Sequence, residues 1–200
     1  NTSTGLRTLS LALKKRGLTI HSPCTFVHGT NCTPDRCWSF VQQERIRPTR
    51  LMEMLAASSK EAFRYINTDI KYSYAVLRKD GRTRHTYRAP PNARVLRLAQ
   101  VHRHTDKRVN IIASKMSGNL GDATTLMFRV CDGSAAVPVF AVIPAYHVTP
   151  ENEALVSAPY GTILELENVL IRHNPAHDAY NLLVSRTSQV TCPDVVEPDE

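Results

Sequence analysis

LMFRVCDGSAAVPVFAVI, residues 126–143, decides how the rest of this chain is read. Leu126, Phe128 and Val130 alternate with Met127, Arg129 and Cys131, the period of two expected of a half-buried strand. Val137, Val139, Ala141 and Ile143 repeat the alternation beyond Asp132-Gly133-Ser134. An Asp-Gly pair between two such runs supplies the positive φ of a tight hairpin turn, so two antiparallel strands are expected here. Arg129 then faces away from the apolar set.

Outward from this hairpin the strand signals continue. Val109 to Met116 reads as a strand bounded by Ser-Gly-Asn, and Val95 to Val101 also alternates. Thr149-Pro150-Glu151 is a helix start, with Thr as cap, Pro at the first position and Glu in the first turn. Thr162 to Ile171 alternates cleanly, and Tyr180 to Val190 is expected to pair with it across Asn174-Pro175-Ala176-His177. Three strands, a short helix and two strands is the order of the OB-fold, a small five-stranded barrel. The expected strands are 108–116, 124–132, 136–143, 161–172 and 179–189, with the helix at 150–157. The fold class is therefore mainly β: a five-stranded OB-fold barrel behind an N-terminal helical and β-hairpin extension. Its groove would cross the second and third strands, rimmed by loops 117–123 and 173–178.

The extension is read from local signals. Residues 5–17 place cations Lys14-Lys15-Arg16 before Gly17, the end of a helix, although Leu9, Leu11 and Leu13 also suit an extended run. His21 to Trp38 is loop chemistry holding His21, Cys24, His28, Cys32 and Cys37. Zinc needs four such ligands, but no CxxC pair is present and the spacing matches no zinc finger, so reduced cysteines without metal are the expected reading and a structural zinc the alternative. Thr49 to Phe63 is a helix with Thr49 as N-cap and Leu51, Met54 and Leu55 on a core-facing side. Ile70 to Arg88 reads as a second hairpin turning at Asp80-Gly81, with Tyr72 and Tyr74 on one face and Arg78, Lys79, Arg82, Arg84 and Arg88 around the turn. Tyrosines beside cations suit a nucleic-acid strand, combining base stacking with phosphate neutralisation. The expected organisation is an N-terminal segment (1–48), the helix and basic hairpin (49–93), the OB-fold (94–190) and an acidic tail (191–200).

Composition narrows the class of function. The 200 residues carry a net charge of +7, and the charge is segregated. Residues 1–100 hold 18 Lys and Arg against 6 Asp and Glu, whereas residues 101–200 hold 7 against 12. Solubility alone explains a total of +7 but not this division, which points to a polyanion-binding surface. No run reaches the roughly 18–20 apolar residues that cross a bilayer, so no membrane partner is expected. With no initiator Met and no signal segment at its start, the sequence is expected to be an excised or processed fragment. Five cysteines make an odd number for a disulfide framework and favour a reducing compartment, which leaves the glycosylation triplets at Asn1 and Asn31 coincidental.

The run VLRLAQVHRHTDKRVNIIASKMSGNLGDATTLMFRVCDGS, residues 95–134, resembles the lead-in and first strands of the second OB-fold of protection-of-telomeres proteins. The turn Arg129-Val130-Cys131-Asp132-Gly133-Ser134 matches that family's Arg/Lys-Val-x-Asp-Gly-Ser/Thr pattern, and Gly161 to Leu166 resembles the opening of its fourth strand. The helix at 49–63 is similar to one that precedes the domain. The resemblance covers roughly residues 49–190. It implies binding of single-stranded telomeric DNA at chromosome ends in the nucleus, end protection or regulation of telomerase, and other telomere-complex proteins as partners. By position it implicates Arg108, where the family places a stacking aromatic, together with Asn110 and Asn168. Leu170 falls where the family has a histidine. Asp132 of the motif turn joins the candidates, as do Arg129, Arg172, His173, Tyr180 and Arg186, which are expected to face outward or lie in rim loops.

Catalysis is not expected. Glu165 and Glu167 lie side by side rather than flanking a substrate, and no P-loop, GxGxxG or GxSxG motif is present. No cofactor and no small-molecule substrate are expected. The competing reading is a protein-binding OB-fold adaptor in a telomere or single-stranded-DNA maintenance complex, favoured by the acidic second half.

Overall fold

A computed structural model describes residues 2–28, 32, 37, 40–42, 47–60 and 71–193. The chain opens with helix α1 (Thr2–Lys15), whose last turn carries Lys14 and Lys15 beside the negative end of the helix dipole. Gly17, at φ +95, closes it: Gly17 N donates to Lys14 O and Leu18 N to Leu13 O, the paired bonds of a Schellman end. Strand β1 (Thr19–Ser22), strand β2 (Val41–Gln42), helix α2 (Arg50–Ser58), strand β3 (Lys71–Tyr72) and strand β4 (Val76–Arg78) complete the extension. Thr49 caps α2 by accepting from Met52 N.

Two expectations for the extension are corrected. The arms around Asp80-Gly81 do not pair with each other; β4 pairs antiparallel with β1 and β3 with β2. The turn signal is real, since Asp80 accepts from Arg82 N and from Arg78 Nε at 2.9 Å. Other segments claim the strand edges. Helix α2 also turns its apolar side outward: Leu51 and Met54 are more than 60% exposed and only Ala56 is buried. Phe63 and Ile70, the ends of the expected helix and hairpin, lie outside the described residues, as do Asn31 and Thr33 of the second triplet and residues 194–200.

The barrel comprises β5 (Arg108–Lys115), β6 (Thr125–Cys131), β7 (Val139–Pro144), β8 (Ile163–Asn174) and β9 (Ala179–Leu183), with helix α3 (Ala154–Ser157) between β7 and β8. Neighbours run β8-β5-β6-β7-β9, and β8 pairs with β9 to close the ring. This is a closed five-stranded OB-fold. The β6–β7 hairpin forms, but not around a tight turn at Asp132-Gly133: Val130 lies opposite Val139 and Leu126 opposite Ile143, leaving a longer connection between Cys131 and Val139. The expected final strand 179–189 is divided. Ser185 N donates to Ser188 Oγ and Ser188 N to Ser185 O, turning the chain so that β10 (Gln189–Thr191) lies on the outer edge of β8.

The core fills the barrel with Ile111, Phe128, Ala141, Leu164 and Leu182, each at most 2% exposed. At one end Lys115 Nζ donates to Val156 O and Ala158 O beyond α3 and lies 4.4 Å from the Phe128 ring centroid. Burial pulls this amine down to about 8.

Val95 to Val101 is not the expected strand. Residues Leu98–Arg103 form a 3₁₀ helix that sends Leu98 and Val101 into the core. The reason lies in the β6–β7 turn: Asp132 accepts from Leu98 N at 2.8 Å and Ser134 Oγ accepts from Ala99 N at 3.0 Å, capping the helix across the molecule. Asp132 also accepts from Ser134 N. Asp132→Ala leaves the buried Leu98 N–H without its acceptor. It is expected to lower stability by about 1.5–3 kcal/mol, read as a lower urea midpoint at unchanged m value.

Candidate nucleic-acid interface

One rim of the barrel gathers aromatic rings and cations. There β8 and β9 project as a pair joined by Pro175–His177, and His173 stands opposite Tyr180 with ring centroids 5.0 Å apart. Backbone bonds Asp106 N to Ile171 O and Ile171 N to Lys107 O tie the 104–108 strap to the same strand. Arg172 is exposed on this strand, and exposed Arg103, Lys107 and Arg108 belong to the strap or to the chain that leads into it. Asp106 forms an ion pair with Arg172, and both side chains are more than half exposed. Such an exposed pair contributes at most about 1 kcal/mol, so it places the guanidinium rather than locking it.

A second cluster lies at the other end of the parallel β7–β9 pair, roughly 17 Å along the strands at about 3.3 Å per residue. Tyr146, 69% exposed, meets the His147 ring edge-on at 4.5 Å. Arg186 Nη2 donates to Tyr146 O at 3.0 Å, bringing the turn after β9 against the exit of β7. Buried Asn152 fixes the connection by donating to His147 O and Ser185 O. The sequence reading singled out Arg186 but missed Tyr146 and His147. Their local signal is weak, because they follow the strand after Pro144-Ala145 and break its alternation.

The outer face of β6–β7, expected to be an open groove, is covered. A cavity of about 50 Å³ lies between it and the N-terminal segment, lined by Arg7, Cys24 and Phe26 on one side and by Arg129, Cys131 and Val137 on the other. Thr25 and Ser114 share a hydrogen bond across the junction. Arg129 does face out of the barrel, as the alternation requires, yet it is only 9% exposed and stacks over Phe140 at 5.9 Å. Burial pulls its guanidinium below the usual value and pushes the thiols of Cys24 and Cys131 up, to about 11 and about 12. The loop at 117–123 is exposed at Asn119 and Gly121–Ala123 but braced from within. Asn119 Oδ1 accepts from Gly121 N and Met127 N, and a Cβ on Gly121 would fall 2.0 Å from Thr125 O.

The remaining sequence candidates are placed as follows. Asn168 sits at φ +56 where the β5–β8 register shifts between Val109 and Ile111. Its N–H donates to Asn110 Oδ1, its Nδ2 to Thr187 O, and its carbonyl accepts from Arg108 Nη1 and Ser188 Oγ. Asn110, Asn168 and Arg108 thus brace a bulge together. Asp132 is 1% exposed and caps the 3₁₀ helix. Tyr74 packs on Tyr160 at 5.9 Å and on Tyr72 at 6.5 Å, while Tyr74 O accepts from Arg7 Nη1. Tyr160 precedes the start of β8 and His173 lies near its end, so these tyrosines stand up to about 40 Å of strand away from the rim. The basic stretch Arg78, Lys79, Arg82 and Arg84 follows β4 beside β1, with Arg84 N bonded to His21 O. Cys24, Thr25 and Phe26 help to roof the β6–β7 face, and this basic stretch does not line the space beneath them.

Residues 99–193 match a family model described as a domain of unknown function (DUF8157) C-terminal domain, just under half of the chain. No curated protein matches in sequence. Solved structures of similar fold include a candidate aspartyl-tRNA synthetase from Leishmania major Friedlin, at 13% identity and TM-score 0.39 over 55% of this chain and 23% of that one. A replication factor A related protein from Methanobacterium thermoautotrophicum matches at 13% identity and TM-score 0.37, over 55% of this chain and all of its own. p202 HIN1, solved in complex with 12-mer dsDNA, matches at 12% identity and TM-score 0.37 over 59% and 56% of the two chains. This chain thus spans less than two thirds of two of these three proteins.

The bulge has its own test. Asn168→Gly keeps the positive φ and loses the side-chain bonds, whereas Asn168→Val loses the bonds and adds backbone strain. Val is expected to be the less stable by about 1–2 kcal/mol in urea unfolding.

Proposed function

We propose that this chain is a non-catalytic binder of single-stranded nucleic acid, and that its ligand is single-stranded telomeric DNA. The observation that carries this reading is the His173–Tyr180 ring pair at one rim of the barrel, whose strand β8 also carries exposed Arg172 and is bound by the strap holding Lys107. Rings give bases a stacking surface and cations neutralise the phosphates that link them, which is the combination a single strand needs. Part of the net acidity of residues 101–200 lies away from the rim, with Glu151, Glu153, Glu165 and Glu167 in α3, its approach and the first half of β8. Of the acids at the rim, Asp106 and Asp178, the first is paired with Arg172. The Tyr146–His147–Arg186 cluster extends the same chemistry along the barrel wall. The telomeric ligand, the chromosome-end role in protection or telomerase regulation, the nuclear location and the telomere-complex partners rest on the resemblance of residues 95–134 and 161–166.

A second reading, a protein-binding adaptor, is favoured by one observation, the outward apolar side of α2 at Leu51, Met54 and Leu55.

Fluorescence anisotropy with telomeric repeat and scrambled single strands, each at two salt concentrations, separates the readings. Tight, sequence-dependent binding is expected; weak binding set by salt alone favours the adaptor. Tyr180→Ala and Tyr146→Ala should each cost about 1–3 kcal/mol of affinity.

The two basic regions are distinguished by charge reversal. Lys107→Glu with Arg172→Glu should weaken binding to every sequence and reduce the salt slope by about one unit for each phosphate left unneutralised. The Arg78, Lys79, Arg82 and Arg84 to Glu variant, altered far along β8 from the rim, should change affinity less. The opposite ranking would move the phosphate path onto the extension.

A further inference from the structure

Four of the chain's five cysteines line one space. Cys24, Cys32, Cys37 and Cys131 wall the cavity of about 50 Å³ between the N-terminal segment and the barrel, while Cys192 is exposed. Three come from the loop after β1 and the fourth from the end of β6. The histidines do not line this cavity: His21, in β1, lines a neighbouring one with Lys14, His85 and Cys24, and His28 borders an open groove beside Arg88 and Arg97, its Nε2 3.8 Å from Asp132 Oδ2. The five-ligand loop of the sequence thus resolves into a four-sulfur set, one member of which the loop does not contain.

Free cysteine is commonly buried as a small apolar residue, which accounts for any one of these positions. It does not account for a cavity that gathers four thiols together with two guanidiniums, Arg7 and Arg129. Four thiolates around one divalent cation carry a net charge of −2, which the two guanidiniums complement. Soft sulfur ligands from distant parts of a chain, here all half-buried, are the makings of a structural metal centre.

We propose that Cys24, Cys32, Cys37 and Cys131 bind one zinc ion that fastens the N-terminal segment to the barrel. The thiols surround the space without converging on a point: among the described residues no three Cys, His, Asp or Glu side chains stand close enough to hold an ion. Binding therefore requires the sulfurs to draw inward. Each thiol releases its proton to solvent and its sulfur donates a lone pair to the ion. Four protons leave, four Zn–S bonds of about 2.3 Å form, and nothing is oxidised or reduced.

The test uses the full chain, purified under reducing conditions without added metal. Elemental analysis should find one zinc per chain, and replacement by Co²⁺ should give the intense sulfur-to-cobalt bands of a tetrahedral tetrathiolate. Cys131→Ser and Cys37→Ser should abolish both signals, and Cys192→Ser should leave them unchanged. Should the serine variants fail to fold, the stoichiometry and cobalt spectrum of the unaltered chain decide the matter. A chain that takes up neither ion, an iron–sulfur chromophore, or an intact mass short by four hydrogens from two disulfides would each overturn the assignment.

Discussion

A five-stranded sheet closes into a ring only if one strand finds partners on both of its edges along its length. Here that strand is β8. Its first half lies between β5 and β10, and its second half crosses to β9. A 12-residue strand cannot do both while straight, and the bend falls at Asn168, where φ turns positive. Asn110, Arg108, Thr187 and Ser188 bond to that one residue, so the bend is held from β5 and from the turn before β10 together. Everything at the rim follows from it. Residues 172 and 173 swing across the barrel mouth, where Arg172 meets Asp106 and His173 meets Tyr180.

The second organising feature is the cover on the barrel. Strand β5 is buried on both faces from Ile111 to Lys115, a pattern more usual of a central strand in a layered fold than of a small barrel. Ile112 and Ile163 point away from the barrel interior and pack instead with Val27, Tyr87, Ala89 and Val95 of the extension. Arg129 is enclosed by the same arrangement. With this wall occupied, the chemistry suited to a ligand is left at the rim and along the β7–β9 edge.

Much of this was legible in the sequence, because the barrel strands obey a local rule. Alternation located β5 to β8 to within a few residues, and Asp132-Gly133 marked the β6–β7 connection but not its length. The failures share a cause: they depend on contacts between distant segments. Val95 to Val101 alternates like a strand, yet a carboxylate more than thirty residues later caps it into a 3₁₀ helix. Asp80-Gly81 does turn the chain, but no local pattern could say that β1 and β2 would take the strands upstream of that turn. Alternation put Arg129 on the outer face correctly and was silent about what lies over it. Resemblance by position put Asn110 and Asn168 among base-contacting residues, whereas their side chains brace the bulge. Of the residues named at the rim, His173 stands against Tyr180 and Arg172 pairs with Asp106, while Arg108 joins the bulge at Asn168.

The cover also means that homology and autonomy divide the chain at different places. The family match begins at residue 99, but a piece cut there would leave Ile112, Ile163 and Phe140 facing water beside a stripped Arg129. Contiguous apolar surface of that kind drives self-association. The smallest soluble unit is therefore longer than the recognisable domain, because Val27, Tyr87 and Ala89 cover the barrel's outer wall.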